Sequence, residues 1–480
     1  MRSGTKKLIA IIAALVIMLG AGITTWLLVR VPRSEQLRIA LWADYYNPEL
    51  IDAFQAYWRQ QPGVSSRFRV RTTWYSSNEE LHSFIATGRR DFCLALPSEY
   101  MMERLAREGL LRPLNMNHER FADFTTGGAF DNTVLSNVAT DIITNMHATH
   151  VYGVPYAYGT HGIIYDSTMI IDGQPLGNFV RRYGWNIIWA NSPDVDLTPS
   201  IPASYRGNIR TSMKNSGRDA FTTAMKAVQR TPLLEALGYT VVDHATVGPA
   251  ATADMNTHRA IMAAFHNAEG FNTAQIAQAE ALLRQLPRDT RFEVSQNFFD
   301  ITQGRDEISL GLEWSSWGWH AMTTNRNYNF YIPREGTSLW LDSWVIPNNG
   351  NRPNIDAAHA FIAFMTSYDA IMGTETRDGN IWWSGTTPHI AASQSFYDMF
   401  AAWPEYFDAE SFASDEFTIR VNGNSHAAQL RANWQESFMR ATFPTRHSDI
   451  VDRSAVMSFF GMPTENAIDA MLQSVRAHLS

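Results

Sequence analysis

The sequence has one cysteine, Cys93, in 480 residues. An internal disulfide is therefore excluded, as is a zinc site built from several thiolates. Cys93 lies in the apolar run DFCLALPS, which reads as a buried strand, so it is expected to be a small core residue. Charge is sparse, at 18% of residues, and 39 basic against 47 acidic side chains leave a formal charge of −8. That balance offers no electrostatic footprint for nucleic acid and mildly favours cationic partners. Also missing are G-x-G-x-x-G, a P-loop and G-x-S-x-G, which removes the commonest arguments for nucleotide binding and for serine hydrolysis. No internal repeat or low-complexity segment is found. A 45% hydrophobic content at this length indicates a globular chain with room for two or three domains, each burying a core.

What is present starts with a membrane signal. Arg2, Lys6 and Lys7 precede an uncharged, mostly apolar run from Leu8 to Val29, closed by Arg30 and Arg33. The run is long enough to span a bilayer. A secretory signal peptide starts in the same way, and Gly20-Ala21-Gly22 could serve as its cleavage site, but Trp26 to Val29 continues the apolar run beyond it. No cysteine follows for lipid attachment. An uncleaved anchor is expected over a cleaved signal, and both readings put the body of the protein outside the cytoplasmic membrane.

From residue 36 the pattern is α/β. LRIALW (37–42), FRVRTTWY (68–75) and FCLALP (92–97) read as strands. The first helix follows Asn47-Pro48 and carries Leu50, Ile51, Phe54, Tyr57 and Trp58 on its inner side. Ser77 to Glu80 forms a capping box opening ELHSFIATG, and EYMMERLAREG ends at Gly109. Three strand-helix units predict a parallel, doubly wound sheet, in which ligands bind beyond the carboxyl ends of the strands, near Trp42 to Tyr45 and Ser98 to Tyr100. Strand patterns return at 151–166, 207–211 and 307–314, with helices at 219–228 and 273–286. Residues 231–270 read as an insertion. A helix near Ile355 should bury Ala357, Ala360, Phe361 and Phe364, and the tail from 394 reads as helical.

The most informative stretch is Thr337 to Pro347, TSLWLDSWVIP. With the period of a strand, Trp340, Asp342 and Trp344 share one face, so a single carboxylate stands between two indoles. A buried carboxylate needs a partner. Indole faces beside a carboxylate suit an organic ammonium group. The ordinary alternative is that the tryptophans are core residues and Asp342 caps or turns the chain.

Three segments in order, LWADYYNPELIDAF, YSSNEELHSFIATGRRDFCLALPSEYMMERLAREGLLRPL and the pair SLGLEWSSWGWHA with LWLDSWVIP, resemble the spermidine/putrescine-binding proteins of bacterial ABC importers. The resemblance is spread over most of residues 37–440. It implies a two-lobed α/β fold of the periplasmic-binding-protein type, with the chain crossing between lobes near Val154 to Tyr158 and near Trp340 to Asp342, and a cleft that closes by hinge motion. The implied lobes are 36–153 with 342–393, and 154–341 with 394–480, after a signal or anchor in 1–35. Residue by residue, Trp42 and Tyr45 match an aromatic pair, Asp44 an acid meeting one terminal amine, and Ser98 and Tyr100 the motif after the third strand. Trp314 and Trp340 match aromatics flanking the aliphatic chain, Asp342 the carboxylate for an inner amine, Asp219 an acid for the other terminal amine, and Gln435 a polar contact from the tail. Two positions depart from the family pattern. Ser216 stands where a second acid is usual, and Gly385 where an aromatic is expected, with Trp383 close by.

The resemblance thus implies a binding protein rather than an enzyme, with a polyamine as ligand, the permease subunits of an ABC transporter as partners and no cofactor. His147, His150 and His161 could suggest a metal, but no carboxylate or further ligand is fixed near them, so none is expected. Two alternatives stay open. One is a membrane-held sensor of the same fold for another organic cation; the other is a glycoside hydrolase using two of Asp44, Asp219 and Asp342 to flank one bond.

Overall fold

The structure is a computed structural model and describes residues 31–42, 48–88, 90–192, 208–242, 245–249, 252–267, 273–293, 308–348, 354–367, 427–442, 444 and 447–480. The helices that position the site are α1 (Pro48–Arg59), α2 (Asn78–Ala86), α3 (Glu99–Arg107), α4 (Gly217–Val228), α5 (Thr273–Leu283), α6 (Ser315–Thr324), α7 (Ile355–Thr366), α8 (Ala427–Thr442) and α9 (Met462–Leu479). Among the described residues ten strands form one mixed sheet: β1 (Gln36–Trp42), β2 (Arg69–Tyr75), β3 (Leu94–Ala95), β4 (Gly153–Asp166), β5 (Thr211–Lys214), β6 (Arg291–Glu293), β7 (Leu310–Trp314), β8 (Tyr328–Tyr331), β9 (Thr337–Val345) and β10 (Ser454–Val456). The spatial order is β6-β5-β7-β4-β9-β3-β1-β2, with β8 added on β4 and β10 on β9.

Local chemistry explains most of these elements. β1 alternates Leu37, Ile39 and Leu41 into the core and pairs in parallel with both β2 and β3, as the strand-helix pattern predicts. Ser77 Oγ accepts from Glu80 N at 3.1 Å to cap α2, while the Glu80 carboxylate reaches back to Ser76 N at 2.8 Å, one residue upstream of the cap. α7 buries Ala357, Ala360 and Phe361 as expected. In α1, Ile51, Phe54 and Trp58 are buried, but Tyr57, expected with them, is 43% exposed at the edge of the stripe. The third strand is shorter than its apolar run predicts, two residues, because Leu96 onward leaves the ladder. Residues 208–210 are not strand; the strand begins at Thr211. Residues 231–270 include the helix Met255–His266 and a hairpin of Tyr239–Val242 with Ala245–Pro249.

Two hydrophobic cores lie at the two ends of the sheet. The first gathers residues of β1 to β3, α1 to α3 and α7 with Val154, Tyr156, Tyr158, Trp340, Leu341 and Trp344. The second gathers Ile163 and Tyr165 with α4, α5, β7 and α9. The long strand β4 runs from one to the other: Gly153 to Thr160 pair with β9, while His161 to Tyr165 pair with β7. Between the two cores the strands carry a small and polar seam, Gly159-Thr160-His161-Gly162 on β4 and Thr337-Ser338 on β9, and Thr337 Oγ1 donates to His161 O at 2.6 Å. Apolar packing is continuous within each core and broken where the strands cross, which concentrates polar groups at the junction.

Candidate functional site

Site residues gather on both sides of that junction. On the first side, Trp42 ends β1 and its ring lies 4.7 Å from that of Tyr75, its register partner at the end of β2. The Tyr75 hydroxyl donates to Leu96 O at 2.5 Å, tying β2 to the loop after β3. That loop grips β9. Pro97 O accepts from Ser343 N at 3.1 Å, and the Glu99 carboxyl accepts from Leu341 N at 2.9 Å. Ser98 occupies the N-cap of α3 without capping it. Its hydroxyl instead donates to Asp342 Oδ1 at 2.7 Å. An N-cap serine normally satisfies a backbone N–H of the first turn, so this hydroxyl has been diverted to orient the carboxylate.

Asp342 is 5% exposed and Trp340 9%. Trp340 pairs opposite Gly159, where a Cβ would collide with its indole and with Ser315 Oγ, so glycine lets the ring lie against β4. The indole N–H groups of Trp42 and Trp340 are buried without a hydrogen-bond acceptor. Glu99 is 1% exposed, and burial raises its carboxyl pKa to about 8, with the nearby Asp342 charge adding to the rise. At neutral pH Glu99 is mostly protonated, which leaves Asp342 without a second full negative charge beside it.

On the second side, Trp314 ends β7 opposite His161 of β4. Its indole N–H donates to Asp219 Oδ2 at 3.3 Å, and His161 Nε2 lies 3.4 Å from Asp219 Oδ1. Burial raises the Asp219 pKa, and Lys214 and Arg218 oppose that rise. Burial, then Lys226 and Lys214, hold His161 well below its ordinary pKa, so it stays neutral. Lys214 Nζ sits 2.5 Å from Glu313 Oε1 and 4.4 Å from the centroid of the Trp314 ring. The Arg218 guanidinium lies 3.8 Å from the centroid of the Tyr100 ring, pairs with Glu465 and donates to Ser458 O at 2.7 Å. The Tyr100 hydroxyl also accepts from Asn78 Nδ2 and donates to Glu79 Oε1, both at 3.1 Å.

The structure therefore brings Ser98 to Asp342, Trp314 to Asp219 and Trp42, Tyr100, Trp314 and Trp340 to the margin of the first core. Asp44 and Tyr45 lie outside the described residues, as do Trp383 and Gly385. Gln435 is an exposed residue of α8, whose Trp434 and Phe438 turn inward. Trp344 is a correction. Rather than flanking Asp342 it is an ordinary core residue, 1% exposed, with its ring 5.1 Å from Tyr156 and 5.3 Å from Phe361. The β4–β9 pairing shifts register between Asp342 and Ser343, leaving Tyr156 as an extra residue that meets the Trp344 ring.

Ser216 also has a local explanation. It is the N-cap of α4, its hydroxyl accepting from Asp219 N at 3.3 Å, which is why the helix starts at Gly217 rather than at Asp219. His161 lies in the seam while His147 and His150 stand near Tyr152, and no metal-holding group of His, Cys, Asp and Glu occurs among the described residues. Cys93 is buried, as expected. Sequence reasoning missed Glu99, Lys214 and Arg218. Glu99 and Arg218 adjoin singled-out residues, but nothing in SEY or NSGRDAF tells which way they turn.

A family model for bacterial extracellular solute-binding proteins matches residues 49–407. The chain is 22% identical over 344 residues to the putrescine-binding periplasmic protein of Escherichia coli, covering 70% of this chain and 75% of that protein. It is likewise 22% identical over 338 residues to the putrescine/cadaverine-binding protein of Pseudomonas aeruginosa, covering 69% and 75%. Among solved structures, the spermidine/putrescine ABC transporter substrate-binding protein of Streptococcus pneumoniae superposes with a TM-score of 0.55 at 17% identity, over 93% of this chain and 99% of that one. That likeness shows the two-lobed α/β fold. With three quarters of its length matched by the family model, the chain belongs to the bacterial extracellular solute-binding proteins.

Proposed function

We propose that this protein captures a linear amine of the putrescine and spermidine class in the cleft between its lobes and hands it to the permease of an ABC transporter. The observation that carries the reading is the Asp342 carboxylate, oriented by Ser98 beside Trp340 and near the carboxyl ends of β1 and β3. Ammonium groups are met by carboxylates and methylene chains by indole faces. The names of the curated relatives support the amine class. In this reading Trp42, Ser98, Tyr100, Asp219, Trp314, Trp340 and Asp342 line the cleft, Gln435 stands at its rim, and Asp44 and Tyr45 complete the first side.

The lobes follow the bounds that the resemblance implies, 36–153 with 342–393 and 154–341 with 394–480, except that Val154 to Tyr158, Trp340 and Leu341 go with lobe 1; the polar seam of residues 159–162 and 337–338 serves as the hinge. The ligand leaves unchanged, because the family is one of binding proteins rather than enzymes. Residues 8–29, which lie outside the described residues, hold the protein to the membrane as an uncleaved anchor; no helix among the described residues is long and apolar enough to cross one. Retention in the membrane fraction after carbonate washing tests the anchor. Calorimetric titration with putrescine, spermidine, amino acids and sugars tests the function. Tight binding of a sugar and of no amine would sink it.

A further inference from the structure

The second side of the cleft is furnished with the chain's own cations. Trp314, Tyr100 and Asp219 are three of the positions that the resemblance gives to the ligand, and each is engaged from within. Lys214 lies over the Trp314 ring, Arg218 lies over the Tyr100 ring, and both act on the Asp219 carboxylate. Glu313 pairs with Lys214 and Glu465 with Arg218, while Asp219 faces the buried Lys226. On the first side the contrast is plain, for no lysine or arginine among the described residues covers the rings of Trp42 or Trp340.

Resting on the amine reading of the cleft, we infer that the preferred ligand carries a single ammonium group, seated against Trp340 and Asp342, and turns an oxygen acceptor, a carboxylate or an amide carbonyl, toward Lys214 and Arg218. A free ammonium at that end would meet like charges in a site where water screens little. An oxygen acceptor instead finds donors already in place. Lys214 is 3% exposed and Arg218 5%, so both cations are held by the fold rather than free to swing aside.

The test is calorimetric titration of the full chain with 4-aminobutyrate, N-acetylputrescine, putrescine and spermidine. One of the first two should bind at least tenfold more tightly than either polyamine, and which of them does so tells carboxylate from amide. In Lys214→Met with Glu313→Gln, a pair of changes that removes one buried charge of each sign, the preference should shrink at least tenfold. Arg218→Gln with Glu465→Gln gives the same reading if the first pair fails to fold. Putrescine or spermidine binding tenfold more tightly to the unaltered protein overturns this inference and leaves the amine reading standing. A preference that survives both pairs of changes overturns it as well. Failure of all four amines to bind overturns both.

Discussion

The two sides of the cleft each present a buried carboxylate near a tryptophan, yet they are electrically different. Asp342 is oriented by the hydroxyl of Ser98, and the carboxyl nearest it, Glu99, is held mostly protonated. Asp219 is held by Trp314 and His161 and lies among Lys214, Arg218 and Lys226. The comparison teaches that two acids equally buried in a cleft can differ in how much cationic charge the protein itself sets around them. Burial of a paired acid reports mainly on architecture.

The widest gap between the two should appear in binding. Asp342→Asn is expected to weaken amine binding by about 2 to 5 kcal/mol, as for one partner of a desolvated ion pair. Asp219→Asn should weaken it by less than about 1.4 kcal/mol, roughly tenfold. It should instead lower stability by about 1 to 3 kcal/mol, because the neighbouring cations lose the buried charge that offsets theirs. Titration calorimetry paired with denaturant unfolding reads both quantities. Equal binding losses would erase the distinction drawn between the two acids.

A second difference should show in pH. The Glu99 pKa is raised from 4.5 to about 8 in the folded protein, so the folded state keeps a proton that the unfolded chain gives up. Its contribution to stability is therefore fully present below about pH 4.5 and is lost as pH rises through about 8. For a group this buried the loss is on the order of several kcal/mol. Glu99→Gln, which keeps the acceptor for Leu341 N, should flatten the slope across that window in unfolding experiments at a series of pH values. An unchanged slope would mean that Glu99 is ionised in the fold.

Packing gives the next step down. In Gly159→Ala the added methyl would meet the Trp340 indole and Ser315 Oγ, an overpacking expected to cost about 1 to 3 kcal/mol. The same change should tilt Trp340 off β4 and weaken amine binding, whereas Gly173→Ala, with open space around its Cβ, should leave binding as it is. Gly173 has a φ of 72°, so some loss of stability is expected there as well.

Much of the first core was legible because its signals are local. The alternation of β1, the cap at Ser77 and the inner face of α7 each follow from residues within a few positions of one another. The site was legible only in part because its contacts are not local. Ser98 reaches Asp342 across 244 positions, and no periodicity announces that a cap hydroxyl will be diverted. Trp344 obeyed the alternation of its own strand, but the extra residue lies in the partner, so pattern reading on β9 alone could not find the register shift. No local pattern marks Lys214 and Arg218; their burial over aromatic rings depends on where β7 and α3 arrive.

The smallest effect concerns Ser216, where the family resemblance expects a second acid. If the residue faced the ligand, Ser216→Asp would add the missing charge and strengthen binding of a diamine. The structure gives it different work, capping α4 by accepting from Asp219 N. Aspartate is as good an N-cap as serine, so Ser216→Asp should leave both the fold and the order of ligand affinities unchanged. Ser216→Ala removes the cap and should cost about 1 kcal/mol of stability, again without altering that order. Unfolding measurements beside titrations with putrescine and spermidine separate the two roles. Tighter diamine binding in Ser216→Asp would put residue 216 in the cleft and return to the Asp219 side the negative charge that its neighbouring cations now cancel.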